Sequence, residues 1–364
     1  MDARTWLAAG VTLFFWSSAF AVIRLGLRFW GPGELALARF LVASLALALL
    51  LVARRQRLRR PARGDVPRFL ALGLTGIALY HTCLNWGEMT VPAGTASLII
   101  ATAPALTALL AHRWLGERLA GRGWAGLILS FTGVALISVA AGQGTRGGAE
   151  VPVHPAAGWA VHLSPAAGAV LGPLAVWMAA LATSVFFVLQ KPLHGRYGSL
   201  ELTAYYTWAG TLPMLAFAPA LWQHAGSAPP AAWLAVLYLG LFPSAIAYVA
   251  WSAALARAPA GRVASLLNLN PPLALVIAWL ALDEIPGPAE LAGGLLAIAG
   301  VALVQQGGRA AVQAPAAAQP GGGAGGTAGP RGRSPAPAPA TPGRGGRPPA
   351  GQAAGPDRTG RPAP

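Results

Sequence analysis

Lysine occurs once in this 364-residue chain, at Lys191, beside 25 arginines, and cysteine occurs once, at Cys83. The lysine scarcity reads as a bias of the coding genome rather than as a function. A lone cysteine excludes an intramolecular disulfide and a multi-cysteine metal site, and its place inside an apolar run suits a small buried residue. Charge is also scarce, at 10% of residues against roughly 25% in a soluble domain. With 55% apolar residues and a mean hydropathy of +0.54, a water-soluble globular chain is excluded and a membrane protein is expected. Acidic residues number 11, leaving a net charge of +15. Such a surplus often accompanies nucleic-acid binding. Here, however, the arginines sit in short loops and in a C-terminal segment without aromatic residues. No basic face of a folded soluble domain is visible, and no nucleic-acid partner is expected.

The apolar runs are what the chain has in quantity. About 20 apolar residues in a helix cross a hydrocarbon core of about 30 Å. Ten runs approach that length, near residues 5–23, 34–53, 67–86, 93–111, 124–142, 170–190, 202–221, 231–252, 262–282 and 289–306. Arginines and Lys191 crowd every second connection: Arg54 to Arg68, Arg113 to Arg122, Lys191 with Arg196, and Arg257 with Arg262. The positive-inside bias then puts both termini in the cytoplasm of a multi-pass protein of the inner (cell) membrane. Arg24, Arg28 and Arg146 are exceptions to that alternation. Ala19-Phe20-Ala21 also fits a signal-peptidase site, but Asp2 spoils the positive start such a signal needs.

Laying Glu117 on Glu284, an offset of 167 residues, aligns the first half with the second without a gap. Ser17 then falls on Ser184, Phe20 on Phe187, Glu34 on Glu201, Gly73 on Gly240, Pro104 on Pro271, Gly126 on Gly293 and Gly133 on Gly300. Glycines, prolines and glutamates in register mark a duplication. Five runs per copy make the second copy enter the membrane from the opposite side. The expected fold is therefore all-α, with ten transmembrane helices in two inverted five-helix repeats. Inverted repeats suit a transporter that exposes one central site alternately to each side. The division reads as a first repeat at 1–142, an extracytoplasmic linker at 143–169, a second repeat at 170–306 and a disordered Pro/Gly/Ala/Arg-rich cytoplasmic tail at 307–364.

WSSAF in the first run, ARF in the second, Pro104 in the fourth, and LGER at 115–118 followed by GWAGLILSFTGVAL resemble the ten-helix EamA-type permeases of the drug/metabolite transporter superfamily. The resemblance covers residues 6 to 306. It implies a secondary transporter that exports small metabolites, amino acids or drugs. The second copy departs from the pattern by reading LDEI where the first reads LGER, so Arg118 has no counterpart there. A non-transporting membrane sensor or structural protein is the alternative, as is a membrane-embedded enzyme. The last would need paired carboxylates, a metal set or a nucleophile beside a base, and the apolar runs hold none. His112, His154, His162, His194 and His224 are scattered over loops and run ends. No catalytic residue, metal or cofactor is expected.

Ionisable groups inside the membrane are functional candidates by default. His81 lies about 18 Å up the third run by helical rise, and with Asn85 and Glu88 it forms an i, i+4, i+7 stripe. The stripe serves either a helix-to-helix hydrogen bond or a polar cavity. An ordinary imidazole pKa of about 6.5 would permit a proton as coupling ion, though nothing in the sequence requires one. The 167-residue offset takes His81 to Tyr248, which leads a stripe with Trp251 and Ser252. Trp16 is about 16 Å into the first run, too deep for an interfacial belt. Tyr80, Ser17, Thr183, Ser184, Asn268 and Asn270 complete the expected substrate lining, with Pro104 and Pro271 as helix kinks. Glu34, Arg39, Glu117 and Glu284 are expected in coupling or gating. Arg39, about 7.5 Å into its helix, either snorkels or pairs with Glu34, or else belongs to the site. Partners are a small-molecule substrate, zwitterionic or neutral and amphipathic, and the lipid bilayer, with the chain a monomer or homodimer.

Overall fold

A computed structural model describes residues 2–56, 58–115, 121–143, 165–193, 195–255, 257 and 266–313. The LGER glutamate Glu117, His154, His162, His194, most of the expected linker and the tail from residue 314 onward lie outside the described residues. Among the described residues every regular element is helical.

Helix α1 spans Ala3–Gly26. The Thr5 amide at its start donates to the Asp2 carboxylate at 3.0 Å, an N-cap that satisfies one of the orphan amides. Helix α2, Pro32–Ala53, opens on a proline whose missing N–H the first turn does not need. Its Glu34 turns back to accept the Gly31 amide at 3.3 Å. The same device recurs in the helix that starts at Ser199, where Glu201 accepts the Gly198 amide at 3.4 Å. Glu34 and Glu201 are 167 residues apart.

The next run begins as α3, Val66–Leu72, widens into a π-helical stretch at Gly73–Leu79, and resumes as α4, Tyr80–Glu88. It is followed by α5, Ala93–Ile100, and α6, Ala103–Leu115, separated by a turn at Ala101 and Thr102. Helices α7 and α8 span Gly121–Gln143 and Pro165–Gln190. Helix α9, Ser199–Met214, leads through a 3-10 turn to α10, Ala218–Ala225. Helix α11, Pro230–Leu239, widens into a second π-helical stretch at Gly240–Ile246 before α12, Ala247–Leu255. The two π-helical stretches stand at the same register under the 167-residue offset. Helices α13, Asn270–Leu282, and α14, Pro288–Gln313, complete the set. Pro104 and Pro271 are each the second residue of an α-helix, Pro104 after the turn at Ala101 and Thr102 and Pro271 after the 3-10 turn Leu267–Leu269.

Packing reverses the pattern of a soluble domain. Leu45, Leu49 and Val52 of α2, Val170 and Leu174 of α8, and Leu234 of α11 are exposed, while Thr12, Ser17, Arg39, His81, Asn85 and Glu88 are buried. Among the described residues, six helical spans are long and apolar enough to cross a membrane: Ala3–Gly26, Pro32–Ala53, Ala93–Trp114, Ala167–Gln190, Pro230–Ala254 and Pro288–Gln306. Two shorter apolar helices, Gly121–Ile137 and Leu267–Leu282, accompany them. In hydrocarbon, exposed leucines lose nothing, and helix association rests on close packing and internal hydrogen bonds. Among the described residues the most extensive helix pairing joins α7 to α14. A methyl group placed on Gly126 would fall 2.5 Å from the Gly300 carbonyl oxygen, and one on Gly293 would fall 2.7 Å from that of Gly133. Hydrogen bonds stitch the halves elsewhere, as between Ser44 and Thr211 at 3.1 Å and from Trp30 to the Ala232 carbonyl at 3.2 Å. On the side of the basic connections, Asp65 accepts from Arg196 and Tyr197, both at 2.8 Å.

Candidate functional site

The two π-helical stretches each end against one cavity, of about 850 Å³ including its open mouth. An extra residue per turn rotates the rest of the helix away from its regular register, and it is Tyr80 with His81, and Ala247 with Tyr248, that this rotation re-aims. His81 Nε2 and Tyr248 Oη stand 3.4 Å apart, both side chains buried. The imidazole is wedged between the rings of Phe40 and Tyr80, with centroids 4.6 Å away in each case. Its Nδ1 has no hydrogen-bond partner.

Trp16, Tyr80, His81, Thr183 and Tyr248 line the cavity, as do Asn268 and Asn270. Arg39 lines it too, with Pro104 and Pro271 at its edges. The Trp16 indole donates to the Pro243 carbonyl at 3.1 Å, inside the second π-helical stretch. The remaining expected lining residues act as struts behind the wall. Ser17 donates to the Asn270 side chain at 2.6 Å. Ser184 donates to the carbonyls of Ala103 and Ala180 at 2.9 and 2.6 Å. Asn85 donates to the Pro32 carbonyl at 2.9 Å, and Trp251 packs against Trp16 with ring centroids 5.4 Å apart. Apolar surface comes from Phe20, Phe186, Phe187 and Ile23, which sequence reasoning does not single out as lining. The offset signals two of them, since Phe20 and Phe187 are repeat equivalents.

The charged candidates separate into three settings. Glu34 caps its helix and its other carboxylate oxygen faces His224 Nδ1 at 3.1 Å, so it makes no bond to Arg39. Arg39 is 2% exposed, and its Nε donates to the Ser244 hydroxyl in the second π-helical stretch. Glu284 accepts from Arg24 Nε at 2.8 Å and from the Ala93 amide, the first of α5, also at 2.8 Å. The Arg24 guanidinium also donates to the Glu88 carbonyl. This cluster ties α1, α4 and α5 to the connection after α13. It explains why Arg24, a positive charge on the side where the alternation expects none, is only 5% exposed.

Two of these features escape sequence reasoning. Glu88 lies two residues past the third apolar run, yet it is completely buried and neither carboxylate oxygen has a hydrogen-bond partner. The signal is its place on the His81 and Asn85 stripe. Arg24 meets Glu284 across 260 positions of sequence, a separation no local pattern spans. Among the described residues no group of three or more His, Cys, Asp or Glu is gathered as a metal site.

Comparison with known proteins places this arrangement. The model of the EamA-like transporter family matches twice, at residues 5–139 and 170–305. A probable terminal-alkyne amino-acid exporter of Streptantibioticus cattleyicolor is 40% identical over 296 residues, 81% of this chain and 91% of the relative. The transporter YdfC of Bacillus subtilis is 36% identical over 286 residues, 79% and 86% of the two chains. A probable amino-acid metabolite efflux pump of Escherichia coli is 25% identical, over 83% of this chain and 94% of the pump. A crystal structure 22% identical in sequence shares the fold at a TM-score of 0.54, spanning 85% of this chain and 99% of its own. Two matches to the family model over most of the helical body, joined to relatives named as transporters, carry one conclusion: this chain belongs to the EamA-like transporter family.

Proposed function

We propose that this protein exports small amphipathic metabolites of the amino-acid class across the cytoplasmic membrane, by alternating access of the central cavity. The observation that carries this reading is the meeting of His81 with Tyr248 at the cavity wall. Residues at equivalent positions of two repeats touch where the axis relating those repeats passes, and in transporters of this architecture the substrate binds at that interface. The two repeats are 1–142 and 170–306, each with five crossings of opposite sense, and both termini are cytoplasmic. The swapped pairing of Gly126 with Gly300 and Gly133 with Gly293 supports the same axis. Two relatives named for amino-acid or amino-acid-metabolite export support the substrate class.

In this reading the Arg24, Glu284 and Ala93 cluster is the extracytoplasmic closure, because it joins the first repeat to the connection between α13 and α14. A proton is the coupling ion and Glu88 its carrier. The support for that role is geometric: Glu88 is completely buried at the end of α4, neither carboxylate oxygen has a hydrogen-bond partner, and Arg24 donates to its backbone carbonyl. Reconstitution of the full chain into liposomes tests the proposal. Labelled leucine, phenylalanine and threonine are expected to cross with the protein and to remain chemically unchanged. Retention of all three at the rate of protein-free liposomes would overturn it.

A further inference from the structure

Among the described residues lining the cavity, Arg39 is the one cationic side chain, and no carboxylate lines it. An arginine buried inside a membrane-spanning bundle is costly, so it needs partners. The partners it has are incomplete. Its Nε is held by Ser244, its Nη1 has no hydrogen-bond partner, and no described carboxylate makes an ion pair with it. Glu34, the acid nearest in sequence, is engaged by the Gly31 amide and His224. Snorkelling to the surface does not account for it either, since the residue is 2% exposed and its Nε is held on a neighbouring helix.

We propose that Arg39 is the specificity-determining residue of the cavity and receives the carboxylate of the substrate, with the His81 Nδ1 edge beside it and the substrate's apolar portion against Phe20, Phe186 and Phe187. This rests on the export reading above and narrows it to carboxylate-bearing substrates. The guanidinium suits the role because its planar fork matches a carboxylate and keeps its charge throughout. A single fixed cation balances one negative charge. The described lining has no second lysine or arginine for a phosphate dianion and no acid for a cationic drug. Asn268, Asn270 and Thr183, neutral and polar, are left to solvate an ammonium group at the other end. Pinning of Arg39 to Ser244 links the anion-receiving group to the widened turn that also orients Tyr248.

The test compares acids with their carboxamides. In proteoliposomes holding the full chain, unlabelled leucine and phenylalanine are expected to compete with labelled leucine flux, and leucinamide and phenylalaninamide to compete about tenfold to a hundredfold more weakly, the span of one charge-assisted hydrogen bond. R39Q is expected to lose leucine flux by a similar factor while eluting and melting as the wild type does, and R39K to keep an intermediate rate. Equal competition by acids and amides overturns the inference, as does an R39Q protein with undiminished flux. If R39Q fails to fold, the acid and amide comparison on the wild-type protein decides alone. Absence of wild-type flux for every acid, together with no rise in melting temperature on adding them, overturns both this inference and the export reading. Flux of acids and amides alike overturns only the inference.

Discussion

The His81 imidazole and the Tyr248 hydroxyl, 167 positions apart in a chain that repeats itself at that interval, meet at 3.4 Å. Each stands just after a π-helical stretch, so both rings are delivered by the same local distortion. Neither is held by a strong bond, and His81 Nδ1 is left without a partner.

Replacing His81 with alanine is expected to lower leucine flux by about tenfold or more, because it removes a polar edge and opens space between Phe40 and Tyr80. His81→Gln keeps a polar edge and is expected to lose less. Flux assays on the two variants, normalised to reconstituted protein, check the order. Equal wild-type rates in both would remove His81 from the site.

Breaking the Arg24 and Glu284 pair tests the proposed closure. Glu284→Gln removes the carboxylate charge from Arg24 and weakens its bond at 2.8 Å, while the bond from Arg24 to the Glu88 carbonyl remains. The expected result is a shift toward the outward-open form. It is read as faster labelling by a membrane-impermeant maleimide of a cysteine introduced at Ser97, a cavity-lining position, in a Cys83→Ser background. An unchanged labelling rate would argue that the pair is only a strut.

Glu88→Gln is expected to fold at least as well as the wild type, since an amide is cheaper to bury than a carboxylate lacking hydrogen bonds. It should still exchange labelled for unlabelled leucine while no longer accumulating leucine in response to a pH gradient. A variant that keeps gradient-driven accumulation would exclude Glu88 as the proton carrier.

Glu34→Ala is expected to lower stability by about 1 kcal/mol, the usual magnitude for a lost cap, and to leave the substrate preference unchanged. The matching Glu201→Ala should behave alike, because Glu201 caps α9 as Glu34 caps α2 and also accepts from the Arg59 amide. Thermal unfolding in detergent compares the two. A change in the acid-over-amide preference of either variant would contradict a purely capping role.

Residues whose roles depend on spacing alone are open to sequence reasoning. The match of His81 to Tyr248, the alignment of Glu34 with Glu201 and the glycine-spaced helix from Gly121 follow from the offset and from helix periodicity, whereas the capping role of the two glutamates emerges only from the structure. The resemblance to EamA-type permeases rests on the same register and is the family found. The features that escape depend on long-range pairing. Arg24 looks like an exception to the charge alternation because Glu284 comes 260 positions later. Glu88 looks like a loop acid because hydropathy ends the third run at Trp86, whereas α4 continues to Glu88 and buries it. The π-helical stretches are invisible as such, since widening a turn leaves composition unchanged. Only the shared Gly73 and Gly240 mark the places.

The glycine crossing of α7 with α14 bears on how the molecule can move. With carbonyls of one helix facing the bare α-carbons of the other at Gly126, Gly133, Gly293 and Gly300, neither helix can slide by a fraction of a turn without collision. In the proposed alternating-access cycle the pair serves as a fixed keel, and the rocking parts are the helices around the cavity. A disulfide locked across this seam would be silent, whereas the same staple between α1 and α5 would stall the cycle.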